Sequence, residues 1–252
     1  MRIVSWNIRA GGGYRVDGIA RQLLQWQPDV ISLNEFRGTP PSTELAGALS
    51  KAGYLYQKSS TDRGNPAKNA LLLASRIPFR TVRRKNMPDN PQRWRLVQLH
   101  CEPVLLLGLM HIPNYTSPEL KYPFLDALVT LARRWRNTPA LFIGDTNCGK
   151  RGIDEENPNG ALFRREHDWM VGMEKTGWVD VFRQLHGDRR EYTWYSHKDN
   201  GFRLDHAFAS KAVAQQAQCV KHVWGGSGLP GERRESLSDH AALIVDLKMR
   251  VP

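Results

Sequence analysis

Carboxylates, amides and imidazoles recur at the ends of apolar runs in this chain: Trp6-Asn7, Asn34-Glu35, Gly144-Asp145-Thr146-Asn147, Leu204-Asp205-His206 and Ser238-Asp239-His240. No single motif is diagnostic. Together they supply oxygen ligands for a divalent cation, a carboxylate to orient water and an imidazole to face developing negative charge. That is the equipment of a metal-assisted phosphodiesterase.

Each motif also has an ordinary reading. Glu35 alone is a helix cap or an exposed turn charge, yet an oxygen-ligand metal site needs a carboxylate on a rigid element, and a strand end provides one. Asn7 ends the neighbouring run in the same way. Asp145 and Asn147 are two apart, so a strand that continues through them projects both from one face. Read alone, Asp-x-Asn at a strand end is more often a turn. Gly144, Gly149 and Lys150 match most of a nucleotide-binding P-loop, but Arg151 stands where a Ser or Thr must meet magnesium. The residues after it lack the helix whose N-terminus would face the phosphates, so that reading is rejected. Asp205 and His206 are adjacent on an expected strand and point to opposite faces; Asp205 is assigned to the site and His206 to the structure. Asp239 and His240 lie in a loop led by Ser238, where both side chains can reach one centre. A His ring held by a carboxylate keeps one tautomer and stays protonated near neutral pH, which suits it to stabilise a phosphorane.

In the order Asn, Glu, Asp-x-Asn, Asp, Asp-His, from residue 3 to about residue 245, the motifs closely resemble the endonuclease/exonuclease/phosphatase superfamily. That group includes exonuclease III, the AP endonucleases and DNase I. The resemblance implies a DNase I-like α/β fold, a four-layered two-sheet sandwich with helices on the outer faces and the site at one end of the sheets. It makes Glu35 the principal metal ligand, with Asn7 orienting the metal water or the phosphate and Asp239 at or near the metal. Asp145 becomes the water-orienting base, Asn147 a donor to the phosphate, and Asp205 the partner of His240. Magnesium is the first choice of ion and manganese the second, since the donors are oxygens and no thiolate is offered. Enzymes of this kind usually leave a 5′-phosphate and a 3′-hydroxyl.

One segment departs from the exonuclease III pattern. His111-Ile112-Pro113-Asn114 falls where a Tyr-x-Pro-Asn segment is usual. The DNase I-like and phosphatase branches place a His in this region, which implies that His111 contacts the phosphate or protonates the leaving oxygen and that Asn114 faces the substrate. Asn69 and Arg76 resemble the superfamily's segment near the substrate cleft, although Arg76 reads equally as a turn residue. Trp194 and Phe202 flank Asp205 in sequence and are placed to pack on a base or an abasic sugar; a Trp taken alone is a core residue first.

Composition agrees with a polyanionic partner. Lys and Arg number 36 against 25 Asp and Glu, a net charge of +11; an excess of that size points to nucleic acid, and the superfamily resemblance makes DNA the expected substrate. The charge is dispersed in short groups such as Arg83-Arg84-Lys85, Arg93 with Arg95, Arg133-Arg134 and Arg189-Arg190. Each is by itself a solvated surface feature, but several lie beside the acidic motifs. The three cysteines are too far apart for a paired-cysteine metal site. No apolar stretch approaches the roughly 20 residues that span a membrane, and the expected setting is a reducing cytoplasm, as a monomer.

The 252 residues and the 40 % apolar fraction fit one domain covering 1–252, since motifs from both ends must converge. The opening reads strand, helix, strand, with Val16, Ile19, Ala20 and Leu23 at helical spacing. A helix is expected from about Thr43 to Lys51, then short antiparallel strands from Leu55 to Met110. A long amphipathic helix begins at Pro118, a strand spans Ala140 to Ile143, and 149–160 reads as a surface loop. Helical material is expected at Ala161 to Lys175 and Trp178 to Gln184, and strands at Thr193 to Ser196, Leu204 to Ala209, Cys219 to Trp224 and Ala241 to Leu247. Two other functions fit less of the chain. A phosphatase or phosphodiesterase acting on phosphorylated lipids or small phosphoesters leaves the dispersed basic surface unexplained, and a non-catalytic nucleic-acid-binding module leaves the acidic motifs unexplained.

Overall fold

Strands buried on both faces need apolar residues at odd and even positions alike, and the runs of this chain meet that demand. In a computed structural model, which describes residues 1–158, 164–226 and 232–251, they build two six-stranded sheets. The chain opens with β1 (Arg2–Asn7), α1 (Val16–Trp26), β2 (Val30–Phe36) and α2 (Pro40–Lys51). Five strands follow: β3 (Tyr56–Ser59), β4 (Ala70–Ser75), β5 (Phe79–Thr81), β6 (Trp94–Leu99) and β7 (Leu105–His111). Then come α3 (Pro118–Arg134), β8 (Ala140–Asp145), α4 (Arg164–Lys175), β9 (Val179–Asp180) and α5 (Val181–His186). The last part holds the short hairpin β10 (Trp194–Tyr195) and β11 (Gly201–Phe202), then β12 (Asp205–Ala209), α6 (Lys211–Ala214), β13 (Ala217–Val223) and β14 (Ala242–Leu247).

The first sheet has the order β13-β14-β1-β2-β4-β3 and the second β5-β6-β7-β8-β12-β9. Only β1 with β2 and β7 with β8 run parallel, and each is followed by a crossover through a helix. Alternation then sorts the side chains into layers. Ile3, Leu71, Leu73, Leu107, Leu141 and Leu243 fill the space between the sheets. Val4, Trp6, Ile31 and Leu33 face outward onto α1 and α2 through Ile19, Leu23, Leu45 and Leu49. Trp94, Phe142 and Phe208 face outward on the other side, onto Phe124 and Leu128 of α3 and Met170 and Met173 of α4. The result is the expected four-layered sandwich.

Several boundaries differ from the sequence reading. Helix α2 starts at Pro40, because Thr39 is extended and Pro40 occupies the first helical position, where its missing N–H costs nothing. The expected helix at Trp178 to Gln184 divides into β9 and α5, because the Asp180 side chain accepts from the Phe182 and Arg183 amides and caps a new helix there. The expected 149–160 loop is not a plain surface loop over 149–158, since Asp154 and Glu155 are fully buried. Residues 159–163, the end of that loop and the start of the helix expected from Ala161, lie outside the described residues. No helix among the described residues is long and apolar enough to cross a membrane.

Gly144 is fixed by space. A Cβ there would sit 1.8 Å from the Met110 carbonyl oxygen, at a φ of +151°. That carbonyl also accepts from the buried Asn34 amide at 2.7 Å, tying the first sheet to the second. Gly144→Ala is therefore expected to push β7 and β8 apart next to Asp145. The cost should be about 1–3 kcal/mol, measured as a shift in the denaturant midpoint.

Candidate active site

Register brings the motifs to one end of both sheets. Asn7 pairs with Asn34 across β1 and β2, His111 with Asp145 across β7 and β8, and Asp205 with Asp145 across β12 and β8. The loop before β14 closes over them: Ser238 Oγ donates to the Asn7 carbonyl at 2.5 Å, and Trp6 Nε1 donates to the His240 carbonyl at 2.8 Å. Asn7, Glu35, Asn69, His111, Asn114, Asp145, Asn147, Trp194, Asp239 and His240 all line one cleft of about 870 Å³.

Backbone irregularity aims the key groups. Glu35 has a φ of +57°, at the point where the β2–β4 register shifts. A bulge of this kind turns a strand side chain toward a neighbouring site. The loop after β1 fits around it, with the Ala10 amide donating to Glu35 Oε2 at 2.8 Å. Arg9, Ala10 and Asn147 also have positive φ, so left-handed backbone at non-glycine residues is concentrated at this end. Strand β8 stops at Asp145, which corrects the expectation that Asp145 and Asn147 share a strand face. Asn147 turns back, its amide donates to Asp145 Oδ1 at 2.9 Å, and its side chain donates to the Ile112 carbonyl at 2.9 Å. Both side chains reach the cleft through a turn.

The electrostatics divide three neighbouring groups. His240 Nδ1 lies 2.9 Å from Asp205 Oδ2. Burial alone would lower the imidazole's pKa, but Asp205, with Asp145 and Asp239 beyond, drives it up to about 10. Burial raises the Asp205 carboxyl, yet the His240 pairing outweighs it and holds the group below its ordinary range. Asp145 is pushed up to about 7, first by burial and then by Asp205, against His240 and the amides of Asn147 and Asn7. Asn7 Nδ2 donates to Asp145 Oδ2 at 3.1 Å, and His111 Nε2 is 3.6 Å from the same oxygen. His111 titrates well below its ordinary value because it is buried and faces Arg93 and His240. Its ring is therefore neutral at pH 7.

Glu35 and Asp239 present carboxylates to the cleft, and the one cation paired with Asp239 among the described residues is Arg9, at 4.0 Å. An all-oxygen donor set with excess negative charge fits a hard divalent cation. Asp145, Asp205 and His240 also lie close enough to share a metal. In that trio His240 and Asp205 are already bonded to each other, so Glu35 and Asp239 are the better candidates.

Two expected site residues stand apart from the cleft lining. Asp205 is not part of the lining and meets it through its bond to His240. Arg76 follows the far end of β4 from Asn69, with its guanidinium 4.4 Å from the Tyr54 ring, and belongs to a turn. His206 is structural, as expected, with Nδ1 2.9 Å from Thr146 Oγ1. Sequence reasoning counted Arg93 only among the dispersed basic groups, whereas it lines the cleft partly buried, and it missed the pair Lys121–Glu166. Lys121 Nζ lies 2.9 Å from Glu166 Oε1, both residues 1 % exposed, and donates to the Asn147 carbonyl at 2.7 Å. A signal was present: Lys121 lies in register with Phe124, Leu125 and Leu128, and Glu166 with Trp169, Met170 and Met173, which puts each charge on the apolar stripe of its helix.

The chain has relatives in sequence and in fold. An exodeoxyribonuclease of Streptococcus pneumoniae is 26 % identical over 134 residues, 47 % of this chain and 45 % of that protein. A DNA-(apurinic or apyrimidinic site) endonuclease of Dictyostelium discoideum is 23 % identical over 233 residues, 84 % of this chain and 63 % of that one. The chain thus spans about half to less than two thirds of these relatives. Among solved structures, a 3′ phosphatase from Neisseria bound to product DNA hairpin superposes with a TM-score of 0.77 at 21 % identity, covering 98 % of this chain and 99 % of that one. The model of the Endonuclease/Exonuclease/phosphatase family matches residues 4–240, and the chain belongs to that family.

Proposed function

We propose that this protein is a divalent-metal-dependent nuclease that hydrolyses phosphodiester bonds in DNA. The observation that carries the reading is a buried carboxylate poised near neutrality, Asp145, facing a cationic His240 held by Asp205, in one cleft with Glu35 and Asp239. Glu35, Asp239 and Asn7 would hold the cation, magnesium or manganese, which when bound polarises the phosphate and offsets its charge. Asp145 takes the proton from the attacking water, aligned by Asn7 and the Asn147 amide. His240, with Nδ1 committed to Asp205, offers Nε2–H to the oxygen that gains charge. Asn147 donates to the phosphate with the side-chain N–H not used on Ile112. His111 is neutral and contacts the phosphate as a hydrogen-bonding group rather than as an acid.

DNA is favoured over a small ester by the cleft wall. Phe202, Leu204 and Trp194 form an apolar cluster of their own beside His240, with the Trp194 and His240 ring centroids 6.4 Å apart. Such a face suits a base or a baseless sugar. Asn69, held by Arg37 at 2.8 Å, and Asn114 add polar groups to the lining of the same cleft. The reading treats 1–252 as one domain acting as a monomer, and its three free cysteines suit a reducing, cytoplasmic setting.

The test is incubation with end-labelled single-stranded, double-stranded and abasic-site DNA and matching RNA, with magnesium, manganese or EDTA. Cleavage of DNA that EDTA abolishes is expected. Cleavage of RNA alone would change the substrate, and no cleavage of any of them would overturn the nuclease and turn attention to phosphorylated lipids and small phosphodiesters.

A further inference from the structure

We propose a second phosphate-binding site, separate from the catalytic cleft, at the open edge between the two sheets, which takes a backbone phosphate of the DNA other than the reacting one. Strand β3 is the edge of the first sheet and β5, beside β6, the edge of the second. Between them lies a notch of about 760 Å³ into which Lys58, Arg63, Arg83 and Arg95 converge, with the hydroxyls of Ser59 and Thr61 among its walls. The single carboxylate there, Asp62, accepts from the Gly64 amide at 2.9 Å and forms no ion pair among the described residues.

The four cations share one notch and none is neutralised by a carboxylate there. Among the described residues none of the four has a carboxylate within 4.0 Å, whereas other arginines of this basic chain do: Arg2 on Asp246, Arg165 on Asp126, Arg233 on Glu235. Arg95 is half-buried, its Nε is shut off from solvent with no acceptor, and its Nη2 reaches only the Ser59 carbonyl, at 3.4 Å. Burial first, and then the nearby Arg83, both weaken its hold on the charge. Desolvation and like-charge repulsion are costs that a bound phosphate removes, through charge-assisted bonds that match the guanidinium fork.

The notch also lies where a bound strand would pass. Its inner wall is Ser60, whose N–H donates to the Leu71 carbonyl and whose hydroxyl donates to the Gln92 carbonyl at 2.7 Å. The next residue, Arg93, lines the catalytic cleft, as does Asn69 just before β4. Register places the end of β3 and the start of β6 at the catalytic end, with Ser59 opposite Leu72 and Trp94 opposite Met110. Phosphates held here fix register on the substrate without reading its bases.

This inference rests on the nuclease reading, and the experiment separates the two. The full-length wild type, an Arg83→Gln/Arg95→Gln variant and a Lys58→Gln/Arg63→Gln variant are compared, the last because both its sites are exposed and tolerate change. Binding of a long fluorescent DNA duplex is measured without divalent metal across a salt series, and hydrolysis of bis(p-nitrophenyl) phosphate with magnesium. Each variant is expected to bind the duplex about tenfold more weakly at moderate salt, with a log–log salt slope shallower by about 0.9 for each phosphate no longer neutralised. Hydrolysis of the small ester stays at the wild-type rate. Wild-type affinity and slope in both variants, with wild-type DNA cleavage intact, would overturn the second site alone. A wild type that hydrolyses the ester yet neither binds nor cuts DNA would overturn the nuclease reading and this site with it.

Discussion

Replacing Asp145 with Asn is expected to lower kcat on the preferred DNA by about 10²–10⁴-fold, the range for losing a positioned general base. DNA affinity measured without divalent metal should stay near the wild-type value. The amide keeps the size of the carboxyl, and its one carbonyl oxygen can still accept from the Asn147 backbone amide, so the turn survives, while the NH2 that replaces Oδ2 gives up the bond from Asn7. What it cannot do is receive a proton. The pH profile tests the same assignment: since the base must be ionised, kcat/KM of the wild type should rise with pH through about 7 on the acid side and the variant's residual rate should lack that limb. An unchanged kcat in the variant would remove Asp145 from the chemistry. Loss of binding with turnover would show that the residue holds the substrate instead.

The parts of this site that could be read from the sequence are those held by strand ends. Asn7, Asp145 and Asp205 each terminate or begin a run apolar on both faces, and such runs are conspicuous because the sandwich buries β1, β8 and β12 on both sides. Glu35 was found for the same reason, although the bulge that aims it left no sequence signal; its positive φ follows from the fit between the loop after β1 and the end of β2. Arg93 was hidden because it precedes its strand in a turn rich in polar residues, where an arginine needs no explanation. Arg76 misled for the converse reason, since resemblance in sequence near Asn69 does not say which end of a strand a side chain occupies. Of the hairpin, β10 lies within the strand expected at Thr193 to Ser196, whereas β11, two residues long and opened by a glycine, is too short for alternation to register. Lys121 and Glu166 were legible as a pair of misplaced charges, and only the packing of α3 against α4 shows that they cancel each other beneath Asn147.

The largest effect on stability is expected not at the cleft but at Arg203. Its guanidinium is wholly buried between two buried carboxylates, with Nε 2.8 Å from Asp154 Oδ1 and Nη2 2.6 Å from Asp180 Oδ2. Asp154 also meets Arg183 and receives the Lys150 amide at 2.8 Å. Asp180 is the cap of α5, so neither carboxylate has one task only. Arg203→Met fills most of the volume but takes away the cation shared by two buried carboxylates, leaving Asp180 with its backbone amides and Asp154 with Arg183, and removing one partner of a buried pair costs about 3–5 kcal/mol. The pH dependence gives the cause away. Burial would raise both carboxyls, but Arg203 holds Asp154 well below the carboxylate range and Asp180 below it. Groups with depressed native pKa values stabilise fully above the unfolded value, about 3.9, and lose that contribution as the pH falls toward the native ones. In Arg203→Met burial is opposed only by His206, the local amides and, at Asp154, Arg183, so both carboxyls move up from their wild-type values and acidification costs the variant less stability than it costs the wild type. The gap in unfolding free energy should thus be widest at neutral pH and narrow below pH about 4. Denaturant titrations of wild type, Arg203→Met and Arg203→Lys at both pH values decide the matter. A gap that does not change with pH would assign the loss to packing, and Arg203→Lys, which restores charge without the fork, should recover only part of it. Because Arg203 directly precedes Leu204 and Asp205, and Asp154 follows the turn that carries Asn147, the same ion network anchors the two segments whose meeting positions Asp145 against the Asp205–His240 pair.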